Sequence, residues 1–570
     1  MKCLLLDVGS TFIKYSFYEI NTGKSDEIFS IPFPNPVVND GVRFEVERNK
    51  IDEQIIRIFE NALNNCCKRA FICVQMHGYF IFDGEKFSNY ISWRDNRADI
   101  NDERLKGIRF LENGTSLKRN LPAASLCTME IADNSEFFTL GSYIAWLLTG
   151  NNATHKTDAC ASGFYNRKTL NRNADIFNSL KLPEIYDNVA KIGEYKGIEV
   201  YSPTGDHQTS LLGSGADKED TLLINVGTAA QITGIAPIDS VTDAAESRPY
   251  FANDKCALTV TGINIEDLQI FYDKIMRGIK VFGRRKCIVF GGGGAQKAFD
   301  FLKDRLIKEG YILMKNDKNI GNEGLKRIAK SICVERGTML SEIAFANFPI
   351  IMKRQGLDFI IVDDEHGTFE NRMILDIAQN SRFVGIKSIV RLPDNGRQLI
   401  TKLADGGVSA FLLPMTNCAE DIKQVVKYAK YTPMGNRGIS TTRAHTMYGV
   451  DDLKAYMAGA NEKMIIYAQI ETSSGVDNIE EILDTKGVEG VFIGPNDLSA
   501  DLGCIGNTEP IKSCISKICL AAANAGKPCG IITNNRELID FAINNGVSMV
   551  SYGSEINMLK DGAKKIKTIF

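Results

Sequence analysis

Residues 358–367, Asp-Phe-Ile-Ile-Val-Asp-Asp-Glu-His-Gly, form a β-branched apolar run that stops at three acids, a histidine and a glycine. A hydrophobic strand that ends in an acid–His–Gly turn is typical of α/β barrels, which present catalytic groups at the carboxyl ends of their strands. We therefore expect further polar residues at the ends of later strands, one β/α unit apart.

Strand-like runs recur along residues 333–570, and stretches rich in Lys, Glu, Ala and Leu separate most of them. The eight predicted strands lie near 333–339, 359–363, 388–391, 410–414, 465–471, 490–494, 529–533 and 549–552. Eight strands with intervening helices over about 240 residues predict a (β/α)8 TIM barrel. The long interval after the fourth strand predicts that residues 431–456 form a loop over the barrel mouth.

Four polar residues fall at predicted strand ends. His366 follows the second strand, Arg391 ends the third, Glu471 ends the fifth and Asp497 follows the sixth. The two carboxylates suit an open Mg²⁺ or Mn²⁺ site, the arginine a carboxylate or keto oxygen, and the histidine proton transfer. Taken singly, either acid could cap a helix and His366 could be a turn histidine. Four such residues on one rim favour a catalytic site.

Six segments of this half resemble the HpcH/HpaI family of class II pyruvate aldolases: 363–367, 390–391, 405–407, 433–438, 469–472 and 494–499. The resemblance implies that Glu471 and Asp497 bind the metal ion. It also implies that Arg391 stabilises a pyruvate enolate and that His366 is the catalytic histidine.

The same resemblance concerns two further places in the barrel. Asp405 matches a family aspartate that supports the histidine, although its position before the fourth strand favours a structural role. Gly494, Pro495 and Asn496 match the substrate-binding turn of the family.

The implied reaction is reversible cleavage of a 4-hydroxy-2-keto (2-keto-3-deoxy) acid to pyruvate and an aldehyde. The substrate chelates the metal, a base removes the 4-hydroxyl proton, and the metal with Arg391 stabilises the enolate. A Schiff-base aldolase would need a lysine at the carboxyl end of a strand. Lys387 begins its strand and Lys527 precedes the seventh, so the metal route is favoured. A lyase acting on a coenzyme A ester is the alternative for this barrel.

The first half begins with a predicted strand, a tight turn and a second strand. Asp7 in this turn suits the water shell of a magnesium ion, and the backbone around Gly9, Ser10 and Thr11 suits phosphate oxygens. Turns of this kind are common in hairpins, so the pattern alone is weak.

Five more places in the first half contain residues that suit ligand binding or catalysis. Residues 75–78, Gln-Met-His-Gly, follow an apolar strand, and residues 91–97 combine an aromatic ring, a carboxylate and a guanidinium that suit a polyhydroxylated ligand. A surface ion pair beside a buried Trp is the alternative for 91–97. Asp206 precedes a small-residue helix at 209–215, which it could simply cap. A second hairpin turn at 225–228 and a strand-to-glycine run at 288–294 follow.

In that order these segments resemble the FGGY carbohydrate kinases, two-lobed members of the actin-like ATPase (ribonuclease H-like) superfamily. A predicted apolar helix near 137–150 matches as well, and the residues around Asp206 are most similar to ketose kinases of the sedoheptulokinase type. The resemblance implies that Asp206 takes a proton from a sugar hydroxyl as that hydroxyl attacks the γ-phosphate of Mg-ATP.

The resemblance also implies the nucleotide and sugar contacts. The nucleotide residues are Asp7, Gly9, Ser10, Thr11, Gly227, Thr228, Gly291, Gly292, Gly293 and Gly294. The sugar residues are His77, Trp93, Asp95 and Arg97. The nucleotide lobe is shorter than the family usually has, and its second turn contains Gly-Thr-Ala-Ala. A non-catalytic sugar- or nucleotide-binding regulatory module is therefore the alternative for this half.

Length and composition limit the number of domains and the classes of partner. A chain of 570 residues is too long for one core, and we expect a sugar-kinase N-terminal lobe at 1–204, a nucleotide lobe at 205–332 and the barrel at 333–570. A net charge of −3 favours neither nucleic acid nor membrane as a partner. Fourteen scattered cysteines without a C-x-x-C pair predict reduced thiols in a cytoplasmic protein. The expected partners are ATP, a sugar, a keto acid, pyruvate and an aldehyde, with a homo-oligomer formed through the aldolase domain.

Overall fold

The computed structural model describes the chain except residues 21–22, 111, 130, 133, 173–178, 227–229, 241–243, 264–267, 284 and 570. The chain divides into two compact units, Met1–Glu19 with Ser25–Ala329 and Ile20–Lys24 with Lys330–Phe570. The second unit begins close to the predicted limit of 333, and the limit between the two lobes of the first unit stays a prediction. The structure describes all 14 cysteines, and none of them is in a disulfide bond.

The described part of the first unit contains strands and helices that are numbered here in chain order. The strands are β1 Lys2–Val8, β2 Phe12–Glu19, β3 Phe29–Pro32, β4 Pro36–Asn39, β5 Phe44–Val46, β6 Arg69–Val74, β7 Tyr79–Phe82, β8 Tyr90–Ile91, β9 Glu136–Thr139, β10 Ala153–His155, β11 Glu184–Tyr186, β12 Lys191–Tyr195, β13 Ile198–Tyr201, β14 Thr204–Gly205, β15 Thr221–Val226, β16 Ala230–Pro237, β17 Glu246–Pro249, β18 Lys255–Ile263, β19 Cys287–Gly291 and β20 Ile312–Lys315. The helices are α1 Arg48–Asn64, α2 Pro122–Ser125, α3 Leu140–Thr149, α4 Lys156–Ala159, α5 Asp206–Ser214, α6 Leu268–Val281, α7 Ala295–Lys308 and α8 Ile320–Cys333, whose last residues belong to the second unit.

Two mixed sheets of similar design carry the first unit. One has the order β12-β13-β6-β1-β2-β3, with β14 beside β6, and the other has the order β17-β18-β16-β15-β19-β20. In each, an antiparallel hairpin, β1–β2 or β15–β16, has its first strand paired in parallel with a later strand, β6 or β19. The ends of β1 and β15, which the predicted turns follow, therefore occupy equivalent places in the two sheets.

The predicted apolar helix at 137–150 is partly wrong at its start. Residues of β9 pair with β7 in antiparallel fashion, and α3 begins only at Leu140. The hydroxyl of Thr139 accepts the amide N–H of Ser142 and caps the helix, while Gly150 ends it in the left-handed conformation at φ 79°. The periodicity of the sequence did not separate a short buried strand from the helix that continues it.

The second unit is a closed barrel of eight parallel strands, as the sequence predicts. The strands are β21 Glu335–Leu340, β22 Phe359–Asp363, β23 Lys387–Arg391, β24 Ala410–Leu413, β25 Ile465–Ile470, β26 Gly490–Ile493, β27 Cys529–Ile532 and β28 Met549–Ser554. The helices are α9 Phe348–Arg354, α10 Asn371–Val384, α11 Arg397–Asp405, α12 Ala419–Ala429, α13 Leu453–Lys463, α14 Ser473–Asp477, α15 Ile479–Asp484, α16 Pro495–Asp501, α17 Thr508–Asn524, α18 Arg536–Asn544 and α19 Glu555–Ile569.

Large and small residues alternate inside the barrel. The rings of Phe359 and Phe492 meet edge to face with 6.1 Å between centroids. A Cβ atom on Gly337 would overlap the first ring, and one on Gly530 would overlap the second, so these glycines make room for the aromatic layer. All five residues of β22 are buried, as expected for a strand covered on both faces. Among the described residues, no helix is long and apolar enough to cross a membrane.

Candidate functional site

The carboxyl ends of the barrel strands carry the predicted aldolase residues. Arg391 is the last residue of β23, Glu471 follows β25 directly, and His366 lies three residues beyond β22. Asp497 lies in the first turn of α16, after β26. Neither acid is a helix N-cap, because Thr472 caps α14 and Gly494 stands at the cap position of α16. Their carboxylates are thus not committed to helix capping.

Arg391 is held in one orientation by two acids of the quoted segment. Its Nε and Nη2 donate to Asp363 Oδ1 and Oδ2 at 2.8 and 2.7 Å, and its Nη1 lies 3.1 Å from Glu365 Oε2. One side of the guanidinium is therefore occupied, which the sequence did not indicate. One N–H on each terminal nitrogen is left for a substrate oxygen.

Glu471 is a buried carboxylate with fixed oxygens. It is 2% exposed, its Oε1 accepts the amide N–H of Met415 at 2.6 Å, and its Oε2 accepts the side-chain amide of Gln469. Burial raises its pKa, and the neighbouring charges of Asp497 and Glu365 raise it further. Three carboxylates thus repel one another at this rim, and a cation would relieve that repulsion.

A divalent metal ion fits this donor set. The negative charge of Asp497 raises the pKa of Glu471, so the two carboxylates lie close enough to interact. Gln469 Oε1 is buried without a hydrogen-bond partner among the described residues. No group of three or more His, Cys, Asp or Glu side chains with metal-binding geometry occurs in the part of the chain that the structure describes. A metal here would take two protein carboxylates and leave its other positions to substrate and water.

His366 and Asp405 do not meet within this chain. The His366 side chain is 71% exposed, and its Nε2 lies 3.7 Å from Glu365 Oε2. Asp405 ends α11, at the amino-terminal side of β24, where its Oδ1 accepts Nε and Nη2 of Arg437 at 3.1 and 2.7 Å. Strands of a parallel barrel point one way, so these two residues lie at opposite ends of it. The pairing with Arg437 supports the structural alternative for Asp405, and its assignment to catalysis stays a prediction.

The prediction that residues 431–456 cover the barrel mouth is also wrong. The amide N–H of Tyr431 donates to Asn461 Oδ1 at 2.7 Å, and His445 Nδ1 lies 2.8 Å from the Asp405 carbonyl. Helix α12 brings the chain to the amino-terminal face of the barrel, and α13 leads into β25 from that same face. Both ends of the segment are therefore on the face opposite the mouth.

The predicted base of the first unit, Asp206, interacts with two other acids, Asp7 and Asp158. Asp206 is the first residue of α5. Its pKa is raised to about 7, mainly by burial and, to a smaller extent, by the charges of Asp7 and Asp158. Burial also raises the pKa of Asp7. Asp158 accepts the hydroxyls of Thr139 and Thr154, and burial raises its pKa to about 6. Asp206 is thus a proton acceptor of near-neutral pKa whose charge interacts with those of two other acids.

The predicted phosphate and adenosine motifs lie at strand ends. In the first turn, the Gly9 amide donates to the Phe12 carbonyl at 3.1 Å, and Ser10 and Thr11 lie at its partly or fully exposed tip. Gly227 and Thr228 lie outside the described residues. Gly291 ends β19, Gly292 and Gly293 follow, and the Gly294 amide donates to the Val226 carbonyl at 2.8 Å.

His77 is held by residues that the sequence did not single out. It has a positive φ of 68°, and its Nε2 accepts Nη2 of Arg248 at 2.9 Å. Burial, then the charge of Arg248, lowers its pKa to about 3, so the imidazole is neutral. Glu246 joins Arg248 and Lys118 in one ion-pair cluster. A sugar would meet a neutral imidazole here rather than a cation.

The charged groups of Asp95 and Arg97, in the segment 91–97, already have hydrogen-bond partners within the protein. Arg97 donates to Asp95 at 2.7 and 2.8 Å and to Glu45 at 2.7 Å, and Asp95 also accepts the Phe44 amide. Trp93 is 36% exposed and is the part of this segment that a ligand can reach. The alternative of a surface ion pair beside a buried Trp fits only in part, because Asp95 and Arg97 form an ion pair but Asp95 is buried and Trp93 is exposed. Contact of this segment with sugar stays a prediction.

Both halves of the chain resemble known proteins. A model of the family described as HpcH/HpaI aldolase/citrate lyase matches residues 346–561. The 5-keto-4-deoxy-D-glucarate aldolase of Klebsiella pneumoniae subsp. pneumoniae is 32% identical over 217 residues, 38% of this chain and 84% of that protein. This chain belongs to the HpcH/HpaI family. The enzyme of the same name from Citrobacter koseri is 33% identical over 219 residues, again 38% and 84% of the two chains.

The first unit has a sugar-kinase fold. The crystal structure of a ligand-bound xylulose kinase from Lactobacillus acidophilus matches with a TM-score of 0.50 and 16% identity, over 58% of this chain and 89% of that one. At this identity the likeness shows the fold, and the chain thus joins the HpcH/HpaI barrel to a unit with a sugar-kinase fold.

Several residues at the two sites escaped the sequence analysis. In the HpcH/HpaI barrel, Gln469 lies two residues before Glu471, and the two-residue period of a strand would have put both on one side. Asp158, Glu246 and Arg248 carry no local signal, because their partners lie far away in the chain. Arg248 and His77, for example, are separated by 171 positions.

Proposed function

We propose that the protein is a bifunctional carbohydrate enzyme. Its first unit transfers phosphate from ATP to a sugar hydroxyl, and its second unit cleaves or forms a 4-hydroxy-2-keto acid, with pyruvate and an aldehyde as products. One arrangement carries the proposal: the guanidinium of Arg391, locked by Asp363, stands on the same strand-end rim as Glu471 and Asp497.

In the aldolase reaction the chain's own residues act on the substrate oxygens and on one proton. His366 takes the 4-hydroxyl proton, and the C3–C4 bond breaks. The electron pair of that bond moves towards the 2-keto oxygen. The free N–H groups of Arg391 stabilise the negative charge that develops on that oxygen. Asp363 keeps the guanidinium in place, which preserves this geometry through the reaction.

A divalent ion held by Glu471 and Asp497 would supply Lewis-acid polarisation of the keto acid. We propose Mg²⁺ or Mn²⁺, because the donors are carboxylate oxygens. Gly494 supports this arrangement, since a Cβ atom at that position would press on Glu471. Pro495 and Asn496, in the first turn of α16, complete the proposed substrate pocket.

In the kinase reaction Asp206 accepts the proton of the attacking sugar hydroxyl. A pKa of about 7 lets this carboxylate take a proton near neutral pH and release it after transfer. Asp7 would hold the magnesium ion of Mg-ATP through water. The backbone of residues 9–11 and of the 291–294 glycine run would receive phosphate and adenosine.

Product analysis with purified full-length protein tests the proposal. The protein is incubated with ATP and Mg²⁺ and a panel of ketoses, and separately with Mg²⁺ or Mn²⁺ and 2-keto-3-deoxy acids that include 5-keto-4-deoxy-D-glucarate, the compound named for the relatives. We expect ADP from at least one sugar and pyruvate from at least one keto acid. Absence of both products with every compound would contradict the proposal.

Two variants assign each activity to its unit. Asp206→Ala should abolish ADP formation and retain nucleotide binding. If the parent binds nucleotide but forms no ADP with any sugar, the first unit is a regulatory module instead. Glu471→Gln should abolish pyruvate formation, and release of coenzyme A from a coenzyme A ester by the parent would identify the barrel as the alternative lyase.

The setting of these reactions follows from their substrates. Because the kinase needs ATP, we place both reactions in the cytoplasm. We also propose that the chain forms a homo-oligomer through the aldolase unit, since His366 is largely exposed in a single chain. Size-exclusion chromatography with light scattering measures that state directly, and a monomer at working concentration would contradict it.

A further inference from the structure

A cavity of about 550 Å³ opens in the barrel unit, away from the catalytic rim. Gly407, Ser409 and Met464 line it, and these residues immediately precede β24 and β25. The cavity is therefore at the amino-terminal ends of the strands, whereas Arg391 and Glu471 lie at the carboxyl ends. Its size is within the range of small-molecule sites.

Two of the polar groups in the cavity wall are already paired. The guanidinium of Arg437 lies 4.7 Å from the centre of the Tyr431 ring, and Asp405 neutralises it through two hydrogen bonds. His445 donates from Nδ1 to the Asp405 carbonyl, and burial lowers its pKa, so the ring is neutral. These groups form a fixed polar wall without excess charge.

Two further cations in the wall carry no matching acid. Arg382, in the last turn of α10, and Lys463, at the end of α13, are exposed cavity residues. Neither makes an ion pair with an acid among the described residues. The guanidinium of Arg382 reaches over the Gly407 backbone, so that a Cβ there would lie 3.2 Å from Nη1. The cavity therefore holds an excess of two positive charges.

The pKa of the Tyr456 hydroxyl is affected by the same excess of positive charge. Burial raises its pKa, while two arginines, Arg437 and Arg382, act to lower it and a single acid, Asp405, acts to raise it. Ala404, Val408 and Ala460 add an apolar part to the wall. The cavity thus combines cationic groups, a phenol and a small apolar surface.

We propose that this cavity binds a small organic anion, a phosphate monoester or a carboxylate, through Arg382 and Lys463. Tyr456 lines the same cavity, and its hydroxyl donates to the His445 carbonyl at 3.3 Å. Phosphate and carboxylate oxygens match a guanidinium and an ammonium group that have no other acid to bind. The site is separate from the catalytic rim and does not depend on either proposed reaction. Its place on the far face of the barrel suits an effector rather than a substrate.

Chemical protection tests the site on the full-length protein. The protein is acetylated with an amine-selective reagent with and without inorganic phosphate, glycerol 3-phosphate or pyruvate, in EDTA, and the modified lysines are measured by mass spectrometry. We expect at least one anion to protect Lys463 at least fivefold. Lys454, exposed on the same helix and outside the cavity, should react equally in all samples. Glycerol 3-phosphate and pyruvate distinguish the two kinds of anion.

Calorimetry with substituted proteins gives an independent measure. Arg382→Gln and Lys463→Gln change exposed side chains, so folding should be unaffected, and each should weaken binding of the protecting anion about tenfold. Lys454→Gln should bind as the parent does. Equal isotherms for parent and double variant would overturn the site. So would a Lys463 that no anion protects, or one that is unreactive in the parent because a second copy covers it.

Discussion

Arg391 is the residue whose geometry decides the aldolase proposal. Asp363 binds it from one side with two hydrogen bonds and Glu365 contacts Nη1, so the remaining N–H groups have a fixed direction. Such pre-set donors act on developing charge without reorganisation during the reaction. A lysine would keep the charge but lose the planar fork.

For Arg391→Lys we expect kcat/KM for pyruvate release to fall by about 10²–10³-fold, the usual cost of losing one oxyanion donor. Steady-state kinetics on the keto acid that the parent cleaves measures it. Arg372→Lys, at an exposed surface pair with Asp376, is the matched control and should be neutral. A loss below about threefold in Arg391→Lys would exclude the assigned role.

Asp206 links activity to stability through its pKa. Burial and Asp7 raise this pKa from 3.8 to about 7, above the value of an unfolded chain. The stabilising contribution is therefore complete below about pH 3.8 and is lost as pH rises through about 7. Asp206→Asn removes this loss, because an amide does not ionise.

We expect Asp206→Asn to exceed the parent in unfolding free energy by a margin that grows between pH 5 and pH 8, on the order of a few kcal/mol at the upper end. Denaturant unfolding at both pH values measures the margin in metal-free buffer. Asp304→Asn, on the exposed side of α7, is the matched surface control. A margin independent of pH would contradict the raised pKa.

At the scale of elements, the predicted nucleotide motifs of the first unit are associated with two pairs of antiparallel strands. Each hairpin, β1–β2 or β15–β16, borders a parallel strand, and the glycine run follows the parallel neighbour of the second hairpin. Gly292 has φ 89°, and a Cβ there would overlap Asn225 Oδ1 and the Val226 carbonyl. Gly293 has no atom within 4 Å of such a Cβ. The two neighbours therefore separate folding from ligand contact.

Gly292→Ala should destabilise the first unit by about 1–3 kcal/mol, because it combines a strained backbone with overlap against β15. Gly293→Ala should fold as the parent does and raise KM for ATP if adenosine lies along the run. Thermal unfolding and ATP saturation curves of both variants provide the comparison. Equal stability of Gly292→Ala and parent would refute the packing argument, and an unchanged KM in Gly293→Ala would refute the adenosine placement.

At the scale of the whole molecule, each proposed site draws its residues from one unit. Asp7, Asp158 and Asp206 belong to the first, and Arg391 and Glu471 to the second. Neither set needs a side chain from the other unit. The two chemistries are therefore expected to be separable.

Asp206→Ala should leave kcat/KM of the aldolase within about twofold of the parent, and Glu471→Gln should do the same for the kinase, since sites without shared partners behave additively. Both activities are measured on both variants. A fall of more than about fivefold in the other unit's activity would show coupling between the two sites.

Periodicity and strand-end chemistry determined most of the barrel in advance. Residues 359–363 form a strand because a run of β-branched residues buried on both faces has few alternatives, and the directional strands place Arg391, Glu471 and Asp497 on one rim. The family resemblances assigned the chemistry of both halves. These features are local in sequence or repeat at a fixed spacing, so one chain suffices to find them.

Tertiary structure alone decided which of those side chains are free to act. The contacts of Arg391 with Asp363, of Arg437 with Asp405 and of Arg248 with His77 span 28, 32 and 171 positions, and no local pattern specifies them. Likewise, whether residues 431–456 lie over the mouth or beneath the barrel depends on which face α12 reaches. Pairing and burial are properties of the packed molecule, because they depend on what the rest of the chain brings alongside.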